Sequence, residues 1–230
     1  MIPEAVAIAG ATGTLGSALT RACAARGAPV VATATRRGWT AGDRSPAVVI
    51  DASRAAGLAR TLEFCHRHDS ALLYCVSDPG EDGRALLRRA AERIPIGLVA
   101  NLSPLQWIQT RIAATAARLT AALGLPAELT VLDRHPATKR DAPSATAQRL
   151  AEALDRPATV LSERFGARVC DHRVSVTVSG ETCDIVHSVR DLDLAADTAL
   201  RLAHTLTTAG PGWYTADDLF TRLAGSTAEV

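Results

Sequence analysis

The N-terminal part of the chain alternates short apolar runs with amphipathic stretches. Each run is almost wholly apolar, which favours strands buried on both faces of a parallel sheet. The amphipathic stretches between them favour helices. The predicted strands are Ala5–Ala9, Pro29–Ala34, Ala47–Ile50, Ala71–Cys75 and Ile96–Ala100. Strands alternating with helices in this way predict the α/β class, with a doubly wound parallel sheet.

The pattern changes after Pro104 and changes back near residue 192. Apolar residues recur at helical spacing from 104 to 124. Apolar and polar residues alternate in Arg173–Val178 and in Thr182–Val189, and Ser179-Gly180 lies between these two stretches, so they predict an antiparallel hairpin. A final helical pattern follows. We therefore predict one domain formed by residues 1–104 and 192–230, with an α+β domain at 105–191 inserted into it.

A glycine pattern follows the first predicted strand and opens the first predicted helix. Its spacing is G-x-x-G-x-x-G, and it suits a tight turn, close backbone approach to a pyrophosphate and close helix–strand packing. The pattern predicts a Rossmann-like dinucleotide site, although ligand-free strand–helix turns also use glycine. The predicted cofactor-binding residues here are Gly10, Thr12, Gly13, Thr14, Leu15 and Gly16.

Two arginines, Arg36 and Arg37, follow the second predicted strand, and no acidic residue stands beside them. In dinucleotide folds an acidic residue here binds the free ribose 2′-hydroxyl, whereas arginine accommodates a 2′-phosphate. The pair therefore predicts a preference for NADPH, with NADH still possible. The alternative is a pair of solvated loop arginines.

The stretch from Asp133 to Ala147 carries the candidate chemistry. Ser144 is a good helix N-cap, and the amides of the next residues, Ala145, Thr146 and Ala147, would point outward unpaired and attract a carboxylate. Lys139 adds a positive charge, and His135 can exchange a proton near neutral pH. The alternative is an ordinary loop that leads into a capped helix.

Composition excludes several other classes. The formal net charge is +1 and the pI is near 7.7, which gives no attraction to nucleic acid or an anionic membrane surface. The five cysteines are dispersed without a CxxC pair, so we expect reduced thiols in a cytoplasmic protein, with neither disulfide nor metal site. We expect His172 and His187 to be core or interface groups. No apolar run reaches membrane-span length.

The run Lys139-Arg-Asp-Ala-Pro-Ser-Ala-Thr-Ala147 resembles the signature of the dihydrodipicolinate reductases, in which a His pair and a Lys precede Asp-Ala-Pro-Ser-Gly-Thr-Ala. Here Pro136 replaces the second His and Ala145 replaces the Gly. The resemblance implies that His135 donates a proton while hydride comes from the nicotinamide. It assigns catalytic roles to His135 and Lys139 and substrate-carboxylate binding to Ser144, Ala145 and Thr146.

The resemblance extends to other segments. Asn101-Leu-Ser103 is similar to the family's Asn-Phe-Ser, and Asp171-His172 to its Glu-His. The family's Gly-Thr-Thr-Gly loop is replaced by the segment Cys75–Asp78. Arg190 is one position out of register with the family's substrate-domain arginine. Further cofactor contacts are expected from Cys75, Ser77, Asn101 and Ser103.

Together these observations predict an NAD(P)H-dependent reductase of a small carboxylated cyclic imine or enamine. It would act in lysine/diaminopimelate biosynthesis or as a relative recruited to specialised metabolism. The exposed edge of the predicted hairpin and the resemblance favour a homotetramer, with no nucleic acid or membrane partner. Two alternatives stay open: a lyase or isomerase using the same His and Lys without hydride transfer, and a non-enzymatic NADPH-binding sensor.

Overall fold

The computed structural model describes residues 1–166 and 170–225, and its chain forms two compact units. One comprises Met1–Ser103 and Leu192–Val230, and the other comprises Pro104–Asp191. The strands are β1 (Val6–Ala9), β2 (Val30–Thr35), β3 (Gly38–Ala41), β4 (Val48–Asp51), β5 (Ala71–Tyr74), β6 (Pro95–Leu98), β7 (Glu128–His135), β8 (Thr159–Arg164), β9 (Cys170–Val178), β10 (Glu181–Val189) and β11 (Gly212–Thr215). The helices are α1 (Thr14–Arg26), α2 (Leu58–His68), α3 (Gly80–Ala91), α4 (Pro104–Ala122), α5 (Ala145–Ala153), α6 (Asp193–Thr207) and α7 (Ala216–Gly225), and a short 3-10 turn spans Ala55–Gly57.

The first unit contains a seven-stranded sheet in the order β11-β6-β5-β4-β1-β2-β3. All neighbours are parallel except β2 and β3, so the predicted doubly wound α/β sheet is confirmed. Every residue of β1, β4 and β5 is buried, as expected for apolar strands covered on both faces. On one face, Leu62 of α2 and Leu87 of α3 pack in one cluster with Val49 of β4.

The edge strand β3 was not predicted from the sequence. It pairs antiparallel with β2, so that Arg36 and Arg37 occupy the turn of a hairpin. The strand has four residues and none of them is fully buried, which leaves too weak a pattern to recognise. Tertiary packing stabilises it, because the Trp39 ring stacks on Phe64 of α2 with centroids 3.9 Å apart.

The second unit contains a four-stranded sheet in the order β10-β9-β7-β8. The β9–β10 hairpin is antiparallel as predicted, whereas β7 and β8 are parallel. Strand β8 was not predicted, and four of its six residues are exposed. Ala113 and Ala117 of α4 and Leu150 of α5 pack in one core cluster with Val131 and Val174 of the sheet. Within the described residues, no helix combines the length and the apolar character needed to cross a membrane.

Candidate active site

The glycine loop of the first unit has the geometry of a phosphate-binding turn. Gly10 has φ of 78°, and a Cβ there would lie 2.7 Å from the carbonyl oxygen of Ala52. A Cβ on Gly16 would collide with the carbonyl oxygen of Gly10. Both positions therefore require glycine. Thr12, Gly13 and Thr14 are exposed at the start of α1. The Gly13 amide donates to the carbonyl oxygen of Gly10 at 2.9 Å, whereas the first amides of the helix have no intrahelical acceptor and can receive an anion.

The other residues assigned to the cofactor lie at the carboxyl ends of the same parallel strands, the edge at which such sheets bind ligands. Arg36 and Arg37 are exposed in the turn after β2, and Ser77 is exposed after β5. Cys75 is buried, and its thiol contacts the carbonyl oxygen of Leu73 at 3.7 Å. A cofactor at this edge would therefore contact the backbone of Cys75 and not its sulfur. After β6, Asn101 Oδ1 accepts a hydrogen bond from the amide of Ser103 at 3.0 Å.

Asp51 holds the backbone segment on which the glycine loop packs. Its carboxylate is fully buried and accepts the amide of Ser53 at 2.8 Å and the hydroxyl of the same residue. Burial raises the pKa of Asp51 despite these hydrogen bonds. Because Gly10 packs directly on Ala52 and Ser53, the carboxylate fixes the backbone against which the loop rests.

In the second unit, the sheet face covered by α4 and α5 changes from apolar to polar along its strands. One apolar row across the four strands contains Ile185, Val174, Val131 and Val160. The next row on that face contains His187, His172, Asp133 and Ser162, and His135 and Arg164 pair beyond it. The sheet therefore brings residues from four strands into one polar cluster at the ends of β7 and β8.

Asp133 is the centre of this cluster and is fully buried. One carboxylate oxygen accepts the Ser162 hydroxyl, and the other accepts Arg164 Nη2 at 3.0 Å and the Ser144 amide at 3.1 Å. Burial alone would raise the pKa of Asp133, but the hydrogen bonds from Ser162, Ser144 and Arg164 outweigh it and lower the pKa. Asp133 therefore stays ionised and ties β7 to β8 and to the start of α5.

His135 lies beside this carboxylate, with its Nε2 at 3.5 Å from Asp133 Oδ2, too far for a made hydrogen bond. The residue is only 7 % exposed. Burial and then the charge of Lys139 lower the pKa of His135, and Asp133 opposes them. The imidazole is thus mainly neutral near pH 7, and an added negative charge beside it would favour the protonated form.

A second histidine, His172, faces His135 across the sheet with ring centroids 5.2 Å apart. Its Nε2 is 3.4 Å from the Ser144 hydroxyl. Burial, with repulsion from His135 and His187, lowers the pKa of His172 to about 4. Gln109 of α4 donates to the carbonyl oxygen of His172 at 2.8 Å and thereby holds the strand against the helix.

Helix α5 begins as predicted, with Ser144 at its N-cap and the hydroxyl accepting the Ala147 amide at 3.2 Å. The expectation that the Ala147 amide would be unpaired is therefore wrong, because the capping hydroxyl takes it. Ala145 and Thr146 begin the helix, where an α-helix supplies their amides no intrahelical acceptor. Lys139 pairs with Asp141 at 2.8 Å, and their side chains are 32 % and 53 % exposed.

Asp171 lies on the opposite face from His172, because successive residues of a strand alternate. It accepts Arg134 Nε at 3.0 Å and Arg190 Nη1 at 2.6 Å. Burial would raise the pKa of Asp171, but these hydrogen bonds lower it to about 2. Arg190, which the resemblance raised as a candidate, is thus engaged in an ion pair on the outer face.

Sequence reasoning missed Ser162, Arg164 and Gln109 as parts of the site. Ser162 and Arg164 belong to β8, which has no strong pattern, and Gln109 lies within α4, whose buried residues are Gln106, Gln109, Ala113 and Ala117. The two glutamines on the buried face of α4 are the available signal, because buried polar groups need partners.

The chain is similar in sequence to proteins of one reductase family. A family model described as dihydrodipicolinate reductase, C-terminus, matches residues 107–220. The 4-hydroxy-tetrahydrodipicolinate reductase of Xanthomonas campestris pv. campestris is 32% identical over 176 residues, which cover 75% of this chain and 72% of the relative. The enzyme of the same name from Stenotrophomonas maltophilia is 30% identical over 175 residues, with the same coverage of 75% and 72%.

Solved structures show the same fold. A dipicolinate-bound dihydrodipicolinate reductase from Paenisporosarcina sp. matches with a TM-score of 0.72 at 14% identity, covering 94% of this chain and 98% of that one. An engineered D-amino acid dehydrogenase bound to NADP+ matches with a TM-score of 0.52 at 15% identity, covering 95% and 96%. The reductase relatives imply an oxidoreductase that uses a nicotinamide cofactor, and the chain belongs to the dihydrodipicolinate reductase family.

Proposed function

We propose that the protein is an NADPH-dependent reductase of a small carboxylated cyclic imine or enamine, of which 4-hydroxy-tetrahydrodipicolinate is the first candidate. The observation that carries the proposal is the cluster in which His135 lies 3.5 Å from the buried Asp133 carboxylate, which in turn binds the amide of the α5 N-cap. A proton donor and a carboxylate-binding helix start are thereby joined through one side chain. The names of the curated relatives supply the substrate candidate.

The first unit suits the cofactor that such a reaction needs. Gly10 and Gly16 leave no space for side chains, and the exposed residues Thr12–Thr14 lead into α1. This cradle would hold the pyrophosphate through backbone amides. When bound, the nicotinamide supplies the hydride. Arg36 and Arg37 would bind a 2′-phosphate through charge-assisted hydrogen bonds, which are stronger than neutral ones.

In the second unit, Lys139 and the amides of Ala145 and Thr146 would hold the substrate carboxylate. Lys139 is paired with Asp141, but both side chains are substantially exposed. Exposed pairs of this kind contribute only about 0–1 kcal/mol, so a substrate carboxylate can replace Asp141 at little cost. The helix start adds roughly 0.3–1 kcal/mol of dipole stabilisation for the anion.

His135 would donate the proton. A carboxylate held by Lys139 reduces the repulsion that this lysine exerts on protonated His135, so the donor form becomes more populated when substrate binds. Asp133 stabilises the positive charge on the ring. The side chain of Ser144, which caps α5 and contacts His172, keeps the carboxylate-binding turn in register with the sheet.

The direct test is oxidation of NADPH and of NADH by the purified protein with freshly prepared 4-hydroxy-tetrahydrodipicolinate. We expect turnover with a higher kcat/KM for NADPH, because only its 2′-phosphate can pair with Arg36 and Arg37. The double variant Arg36→Ala/Arg37→Ala should reduce the difference in kcat/KM between NADPH and NADH. Arg93→Ala is the control, because Arg93 is an exposed arginine beyond the end of α3. Absence of turnover with either cofactor would refute this substrate, and a preference for NADH would refute the role of the arginines.

We also propose a homotetramer assembled through the second sheet. Its outer face carries Leu161 and Val186, which are 50% and 60% exposed, in one row with Arg173 and Leu132. Apolar side chains on an open sheet face favour association with another copy. Light scattering at micromolar concentration should give four chains per particle, and Leu161→Glu should reduce that number. A monomeric wild-type protein would contradict the proposal.

A further inference from the structure

Three side chains that can bind metals share one end of the polar sheet face. Cys170 and His172 are two residues apart on β9, so they point to the same side. Strands β7 and β9 pair Asp133 with His172 and Arg134 with Asp171. The antiparallel register therefore places His135 across from Cys170 and diagonal to His172, with Cβ atoms of directly opposed residues about 4.5–5.5 Å apart.

The distances among these groups are close to those of a metal site. The ligand atoms of His135, Cys170 and His172 all lie within 4.8 Å of one another. A tetrahedral zinc ion with Zn–N of about 2.0–2.1 Å and Zn–S of about 2.3 Å separates its ligands by roughly 3.3–3.6 Å. Contraction of these separations by up to about 1.5 Å would complete the tetrahedral geometry.

The surroundings also suit a ligand. His135 Nε2 and His172 Nδ1 are buried and have no hydrogen-bond partner among the described residues. The two histidines are 7 % and 3 % exposed, whereas Cys170 is partly exposed and offers an entry route. The Asp133 carboxylate near His135 resembles the acidic group that commonly supports a ligand histidine. Lys139, Arg164 and Arg190 oppose a cation here, while Asp133, Asp141 and Asp171 favour it.

We propose that His135, Cys170 and His172 bind one Zn²⁺ ion per chain and that this ion inhibits the enzyme. A set of two imidazoles and a thiolate binds zinc in preference to magnesium or calcium. On binding, the Cys170 thiol releases its proton to solvent and the sulfur bonds to the metal. The inhibition rests on the proposed function, because it follows from sequestering His135, the proton donor. The fourth coordination position remains for water.

Cobalt provides a readout that does not depend on catalysis. Metal-free protein titrated with Co²⁺ should develop a near-ultraviolet thiolate-to-cobalt band and the visible bands of tetrahedral cobalt, saturating at one ion per chain. Cys170→Ser should abolish the near-ultraviolet band and weaken Zn²⁺ binding, measured against a chromophoric chelator, by at least about tenfold. Cys183→Ser is the matched control, because Cys183 is exposed on β10 and lies outside the cluster.

The activity measurement separates this proposal from the proposed function. Zn²⁺ should inhibit NADPH oxidation by the wild type and Cys183→Ser, whereas Cys170→Ser should stay active and resist inhibition by at least about tenfold. Cys170→Ala serves if the serine variant fails to fold. A cobalt spectrum without a Cys170-dependent band, or equal Zn²⁺ affinity in wild type and both Cys170 variants, overturns the metal site whatever the activity shows. Cobalt binding by a protein whose metal-free form does not oxidise NADPH with the candidate substrate refutes only the proposed substrate.

Discussion

Replacing His135 with alanine should lower kcat by ~10²–10⁴-fold, the usual contribution of general acid catalysis. The affinity for NADPH should stay unchanged, because the cofactor loop belongs to the other compact unit. KM should stay close to the wild-type value, since the proton moves in the transition state and contributes little to ground-state binding. Steady-state kinetics with 4-hydroxy-tetrahydrodipicolinate, together with calorimetric titration of NADPH, measure the three quantities.

The pH profile of the same pair of proteins tests the protonation state. Burial and Lys139 lower the pKa of His135, so the protonated donor is present below that pKa and is lost as the pH rises through it. The wild-type kcat/KM should therefore increase towards acidic pH. This increase should be absent in His135→Ala. If the variant keeps the increase in kcat/KM towards acidic pH, the proton comes from another group.

Two variants serve as comparisons for the histidine. If Lys139 holds the substrate carboxylate as proposed, Lys139→Ala removes a charge-assisted contact of about 1.5–3 kcal/mol. Its loss should therefore appear largely as a raised KM, unlike the kcat effect at His135. His66→Ala alters an exposed histidine at the end of α2 and should leave all constants unchanged. If His135→Ala retains a normal kcat, the assigned role is wrong, and the chemistry would have to be sought near Asp171 and His172.

Replacing Asp133 with alanine should destabilise the protein by about 3–5 kcal/mol, the range for breaking a buried ion pair from one side. Asp133 is fully buried, and removing it leaves Arg164, whose side chain is only 16% exposed, without its carboxylate partner. The Ser144 amide and the Ser162 hydroxyl lose their acceptor as well. Urea unfolding should show a lower midpoint at an unchanged m-value.

The stabilisation from Asp133 should also depend on pH. Its pKa is lowered in the folded state, so the contribution is present above the unfolded value, about 3.9, and is lost as the pH falls through the folded value. The wild type and the variant should therefore converge in stability under acid. Asp184→Ala on the exposed part of β10 is the control and should change stability by no more than about 0.5 kcal/mol. A similarly small effect at Asp133 would contradict the ion-pair assignment.

The sequence by itself determined those features whose causes lie within a few residues. The apolar runs specified β1, β4 and β5 because complete burial requires apolar residues at every position. The glycine spacing identified the turn into α1, because Gly10 and Gly16 are positions without space for a Cβ. Ser144 identified the start of α5, because an N-cap needs only its own hydroxyl and an amide three residues on.

Only the tertiary structure decided which of the candidate residues meet. His172 and Asp133 are opposed because two strands distant in sequence pair in one register, which no local pattern specifies. Ser162 and Arg164 reach the carboxylate from a strand without a recognisable pattern. The stacking of Trp39 on Phe64 likewise supports the hairpin that contains Arg36 and Arg37, through a contact between the edge strand β3 and helix α2. Long-range packing, not local propensity, therefore assembled the site.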